Sequence, residues 1–376
     1  MTVSAPTTSA TLGKPADIRA LTGLRGIAAL YVVIFHANLD YPLPSFIQPF
    51  IQHGYMAVDL FFLLSGFIIA HTSGQLFEHG FTLKNYKRFL LLRLARIYPL
   101  YLVITLFMSG VVMLALHSTN VTVSFIPSLF FNLTLTDIWG MAPPIIPPSW
   151  SISAEWAAYL LFPVLFAIAF KGPNFVGYLG FVVALAILIG VTLGPHRLPT
   201  INHISRGLDV VGPHEPGTVL RCLAEFFLGL IAYRNRLWIP EASSLWLLLA
   251  AIVLLYFRNS DIALVGVFAV FIMALSRDRG FIAKGFQGRV LHWLGLISYA
   301  LYLLHDLVLK LLFAFFPAKE VTSNFNPEAV VMLIILSVAV ASICHYGFEK
   351  RSRMWFHKAF ILEEAVTVQT FSAKAV

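Results

Sequence analysis

Long apolar runs alternate with short polar breaks from residue 21 to residue 348. The hydrocarbon core of a bilayer takes about 20 mostly apolar residues of α-helix. By that measure ten segments qualify as spans: 21–38, 55–72, 89–115, 151–170, 174–194, 218–233, 244–257, 261–275, 290–316 and 328–348. The seventh and eighth are short and the third is long. Pro99 and Pro163 fall inside the third and fourth, where a proline removes an i→i−4 hydrogen bond and is expected to kink the helix. The predicted fold class is all-α, a polytopic membrane helix bundle of about ten transmembrane helices. Residues 1–20 are expected to form a flexible cytoplasmic tail, 21–349 the membrane domain and 350–376 a cytoplasmic C-terminal tail. The first tail is rich in Thr, Ser, Ala and Pro and lacks the apolar core of a signal peptide, so the first run is expected to stay as an anchor.

Composition agrees with that class. The 376 residues are 59% hydrophobic and 12% charged, where a soluble domain carries about 25% charged residues. The net charge of +8 is unevenly placed. With the N-terminus inside, the inner breaks collect Lys84, Lys87, Arg88, Arg93 and Arg96, then Arg277, Arg279, Lys284 and Arg289, then Lys350, Arg351, Arg353 and Lys358. The outer breaks hold only Arg197, Arg206, Arg221, Arg258 and Lys319, and Lys310 lies within the ninth span. This is the positive-inside pattern, and it places both termini in the cytoplasm of a multi-pass protein of the inner (cytoplasmic) membrane. No aromatic-interleaved basic patch argues for nucleic acid. Cys222 and Cys344 are too few for a disulfide framework and read as small buried hydrophobes. No solenoid repeat and no inverted pair of Gly/Pro-broken helices is visible. The oligomeric state leaves no trace in the sequence.

The chemistry must then come from polar residues that do not belong in lipid, each costing about 2.5–3.5 kcal/mol on insertion scales. Arg25 and His36 share one face of the first span, eleven residues apart, or about 16 Å of rise. A snorkelling arginine would explain the first alone. Asp59, four residues into the second span, and Glu155, in the first turns of the fourth, fall at the depth of His36. Either carboxylate is expected to orient the imidazole and stabilise its protonated form. A first-turn acid favoured by the helix dipole is the plainer account of Asp59. Gly66 lies on the same face as Asp59 and would permit close helix approach. On the inner side, Arg93 and Arg96 sit deeper than the membrane-anchoring Lys87 and Arg88 and suit a phosphate or pyrophosphate clamp. Ser65, beside Gly66, is a further candidate, though it lacks the Gly-x-Ser-x-Gly elbow. No cluster has the spacing of a zinc site.

Five stretches carry a resemblance: "LTGLRGIAALYVVIFHA", "GYMAVDLFFLLSGFIIA", "KRFLLLRLARIYPLY", "WSISAEWAAYLLFP" and "ISYALYLLHDLV". In order and spacing they resemble the signatures of the acyltransferase-3 family of ten-helix membrane O-acyltransferases, over nearly the whole chain. The resemblance implies transfer of an acyl group, usually acetyl, from acyl-CoA to a hydroxyl of a sugar or other envelope or secreted molecule. The family's motif positions fall on Arg25 and His36, Asp59, Arg93 and Arg96, Glu155, and a late histidine, His305, followed by Asp306. The run Glu349 to Arg351 is similar to the family's closing motif but lacks the proline often found after it. Many relatives carry a fused extracytoplasmic hydrolase-like domain that is not seen here, so the membrane part is expected to complete the transfer.

The expected mechanism has Arg93 and Arg96, with Arg25 and Arg88, holding the phosphates of acyl-CoA, most often acetyl-CoA, as co-substrate with no permanently bound cofactor. The thioester then reaches His36, which acts as general base with Asp59 or Glu155 behind it; Tyr98 and His305 are further candidates. The expected partners are the bilayer and a hydroxyl-bearing sugar, glycolipid or small molecule. The rival reading is a proton-coupled transporter of a small solute, since acidic and histidine residues in a bundle also relay protons.

Overall fold

The computed structural model describes residues 17–115, 122–194, 207–212, 215–315, 327–356 and 358–359. Among them the regular structure is helical, without a strand: α1 (Arg19–Asp40), α2 (Gln48–Gln52), α3 (Met56–Ser73), α4 (Leu83–Ala115), α5 (Thr122–Leu133), α6 (Trp150–Phe170), α7 (Asn174–Leu193), α8 (Pro216–Arg234), α9 (Ser244–Leu254), α10 (Asp261–Leu275), α11 (Phe281–Phe286), α12 (Arg289–Phe315), α13 (Pro327–Cys344) and α14 (Lys350–Phe356). Each of the ten expected spans coincides with a helix. Eight stretches among the described residues are long and apolar enough to cross a membrane. The seventh and eighth are not: α9 and α10 have 11 and 15 residues, about 16 and 22 Å of rise against a core of about 30 Å. Pro99 and Pro163 lie inside α4 and α6, which continue through them.

The stretch between the third and fourth expected spans, to which no span was assigned from the sequence, contains a further helix. In α5, "TVSFIPSLFFNL" is apolar enough to pack, and it is pinned to α4 by Tyr98 and Tyr101, whose hydroxyls donate to the carbonyls of Leu133 and Asn132 at 2.9 and 2.8 Å. Residues 350–356, assigned from the sequence to the C-terminal tail, form α14 and pack against α4.

Two helix pairs set the frame of the site. In α1 and α12 the backbones touch: a Cβ on Gly295 would stand 1.9 Å from the Thr22 carbonyl oxygen, and one on Gly26 would stand 2.6 Å from the Gly295 nitrogen. In α3 and α8 the approach is as close: a Cβ on Gly66 would stand 2.0 Å from the Phe226 carbonyl oxygen, and one on Gly229 would stand 2.2 Å from the Leu63 carbonyl oxygen. Small residues let helices approach this closely in lipid, where association rests on packing rather than on expelling water. Gly66 does what its position implied. By contrast, α7 turns Phe175, Leu179, Val182 and Leu193 outward, and α4 turns out Leu106, Phe107 and Leu114. Apolar surface of that extent belongs against lipid. At its start, α1 is fixed by Asp278, whose carboxylate accepts from the Arg19 and Ala20 amides at 2.9 and 2.7 Å. Nearby Asp17 bridges Thr22 and His292; burial alone would raise its carboxyl, but these two hydrogen bonds bring it below the usual value.

Candidate active site

The α1–α12 pair carries chemistry at both ends. Toward the start of α1, Arg25 donates from Nε to Ser298 Oγ and from a terminal nitrogen to the Gly295 carbonyl, both at 3.1 Å. Toward the other end, His36 Nδ1 lies 3.3 Å from His305 Nε2, with ring centroids 4.8 Å apart. Both residues of the shared face of α1 thus meet the same partner helix. The carbonyls around the imidazoles fix their tautomers. His305 Nδ1 is 2.6 Å from the Tyr302 carbonyl oxygen, which only accepts, so that nitrogen carries a hydrogen and the neutral ring presents a lone pair at Nε2. His36 Nδ1 is 3.0 Å from the Val32 carbonyl oxygen and so is also the protonated nitrogen, donating between that oxygen and His305. The basic lone pair of neutral His36 is therefore on Nε2. His305 is 1% exposed. Tyr302 in turn shares a 2.8 Å hydrogen bond with Ser151 of α6.

Asp59 has a different partner from the one expected. Its two oxygens accept from Arg221 of α8, Nε at 2.7 Å and a terminal nitrogen closer still. The remaining terminal nitrogen of Arg221 donates to the Leu208 carbonyl. Glu225, one turn on, has Oε1 3.8 Å from Arg221 Nε, and the Trp150 ring lies 5.8 Å from the guanidinium carbon. Asp261 completes the strut, accepting from the Leu208 amide at 2.7 Å and from Tyr55 at 3.0 Å. Asp59, Arg221, Glu225 and Asp261 are all buried. The orientation of His36 by Asp59 gives way to a buried ion pair that ties α3 and α8 to the 207–210 segment and, through Asp261, to α10. Arg221, counted from the sequence among the outer-loop cations, is inside the bundle. Sequence reasoning missed Arg221 and Glu225, although the i,i+4 pair within apolar "TVLRCLAEFFLGL" was a readable signal.

Glu155 also stands apart from the role given to it. Its carboxylate and the Ser65 hydroxyl are both within hydrogen-bond reach of the Tyr159 hydroxyl, and Glu155 and Tyr159 lie within Coulombic reach of Arg93. Arg93 leans its guanidinium over the Phe89 ring at 5.8 Å, and its Nε is buried without a hydrogen-bond partner. Arg93 is further within reach of Arg96 and Arg353, and Arg25 of Arg96, Arg353 and Glu349. Cations of α1, α4 and α14 thus act on one another, and Glu155 acts on Arg93. Arg88, five residues before Arg93, lies about 140° round the helix from it. Tyr98 clamps α5 instead of facing these cations. Among the described residues, no three His, Cys, Asp or Glu side chains converge as metal ligands would.

The comparisons with known proteins accord with this arrangement. A family model for an acyltransferase domain, that of acyltransferase-3, matches residues 18–346. Acyltransferase MdmB of Streptomyces mycarofaciens is 30% identical over 321 residues, covering 77% of this chain and 78% of that protein. Peptidoglycan O-acetyltransferase OatA of Listeria monocytogenes is 24% identical over 78% of this chain, which spans only 50% of OatA. No solved structure matches. The chain, multi-pass by its apolar helices and matched along nearly its whole length, belongs to the acyltransferase-3 family of membrane acyltransferases.

Proposed function

We propose that the protein transfers an acyl group, acetyl by preference, from cytoplasmic acyl-CoA to a hydroxyl of a carbohydrate or other envelope or secreted acceptor, with His36 as general base. The observation that carries this reading is one helix pair with an imidazole pair toward one end and a convergent arginine cluster toward the other. The separation of Arg25 and His36 along α1, about 16 Å of rise, leaves the pantetheine arm to link phosphates held by the arginines with a thioester beside the imidazole. The names of MdmB and OatA support acyl transfer, the latter to oxygen.

In the proposed step, His36 Nε2 takes the proton of the acceptor hydroxyl as its oxygen attacks the thioester carbonyl carbon. A C–O bond forms, the C–S bond breaks, and the imidazolium returns the proton to the departing CoA thiolate. His305, accepting from His36 Nδ1–H, steadies the ring through both protonation states. Arg93, Arg96 and Arg25 hold the donor, and the membrane is the inner one with both termini in the cytoplasm, as the charge asymmetry supports. The test is thiol release from acetyl-CoA by purified protein in detergent with a panel of glycan, glycolipid and small-molecule acceptors. Acceptor-dependent release is expected. Proton-coupled solute flux in vesicles without any thiol release would instead identify a transporter.

A further inference from the structure

The last span does not end the polar chemistry of the chain. Beyond it, α14 packs against α4, the helix of Arg93 and Arg96. Glu349 and Arg353 are four residues apart, which places them on one side of the continuing helix. Glu349 is buried, and its carboxylate accepts from His345 Nδ1 at 2.9 Å. Arg353 lies within Coulombic reach of Arg96 and Glu349, and equally of Arg25 and Arg93. Four guanidiniums from three separate helices therefore converge, with Glu349 as the carboxylate among them and Glu155 at the Arg93 end. Like charges held together repel, and Arg93 Nε is buried with its hydrogen unmet. A ligand with several phosphate charges satisfies both conditions, and arginine's planar fork suits it.

Building on the donor reading above, we propose that Arg353 is a fourth ligand of the donor's phosphates, so that the short helix following the last span is part of the donor site. Arg353 takes the place that Arg88 was expected to fill. Docking of α14 and occupancy of the donor site then reinforce each other.

The helix supplies its own control. Arg351 carries the same charge two residues earlier, about 200° round the helix from Arg353. Binding of CoA and of dephospho-CoA is measured by calorimetry on the full-length chain in detergent at several salt concentrations. For Arg353→Ala, CoA affinity should fall about tenfold, the scale of one charge-assisted hydrogen bond in a partly exposed site. Its salt dependence should flatten, Arg353→Lys should recover part of the loss, and Arg351→Ala should bind like the parent. A smaller loss toward dephospho-CoA would assign Arg353 to the ribose phosphate, and an equal loss to the diphosphate; either supports the proposal. Wild-type affinity in Arg353→Ala, or an equal loss in Arg351→Ala, would overturn it while leaving the donor reading standing. A parent protein that binds neither nucleotide would remove the donor reading and this proposal together.

Discussion

A neutral histidine that donates from Nδ1 keeps its lone pair on Nε2, and His36 is held in that form by Val32 and His305. Truncating the holder should therefore affect the base more than the fold. His305→Ala is expected to lower kcat about 10²-fold, the low end of what a positioned base contributes, with donor KM nearly unchanged and the acid limb of the pH–rate profile displaced. Steady-state kinetics across pH check this, and a wild-type profile would contradict it. Asp59 belongs to stability instead. Removing one partner of a buried ion pair costs about 3–5 kcal/mol because the other charge is left behind. Asp59→Asn should accordingly lower the thermal midpoint in detergent sharply, and Asp59→Asn with Arg221→Met should cost less than the two single changes summed. Arg25 and His36 were legible because charge and imidazole stand out in an apolar run, and the 3.6-residue period put them on one face. What that face meets was not legible. His305 is 269 residues further along the chain, and helical periodicity tells which side of a helix is polar without telling which helix lies opposite. The same gap led the sequence reading to pair Asp59 with His36 when Arg221, buried in α8, is its partner.

At the scale of elements, the two backbone-contact pairs define the frame. A leucine at Gly295 or Gly66 would drive side-chain atoms into a facing carbonyl oxygen, at Cβ distances of 1.9 and 2.0 Å. Backbone cannot yield as a side-chain tip can, so Gly295→Leu and Gly66→Leu should each abolish the monodisperse peak in size-exclusion chromatography. Gly110→Ala, with nothing within 4 Å of its Cβ, should elute like the parent. All ten apolar segments were legible as helices, since length and composition suffice for that. The extent of α10 was legible to the residue, but α9, expected to run to residue 257, ends at Leu254, because apolar residues beside Arg258 belong to the turn that follows the helix. Helix α5 was overlooked because the prolines that follow it, Pro143, Pro144, Pro147 and Pro148, suggested a loop, although its apolar pattern was present.

For the molecule as a whole, the account requires a fixed orientation and a titratable outer region. With native Cys222 and Cys344 replaced by serine, a cysteine at His79 should be labelled by impermeant maleimide only in inside-out vesicles, and one at Met141 only in right-side-out cells. Asp137, in the turn after α5, is buried, and that burial pushes its carboxyl up to about 7. The folded chain therefore holds this proton more tightly than the unfolded chain, whose carboxyl titrates near 3.8. The resulting stability is fully present below the unfolded value and is lost as pH rises through about 7. Thermal midpoints should thus decline across that window, and Asp137→Asn should flatten the decline. The central claim is that the His36 imidazole accepts the proton of the acceptor hydroxyl beside a donor held by the arginines. Its most direct test is a paired measurement on His36→Ala in detergent: acceptor-dependent thiol release from acetyl-CoA, and CoA binding by calorimetry. The account predicts turnover reduced by at least about 10²-fold with CoA affinity near that of the parent; turnover at the parent rate would contradict it.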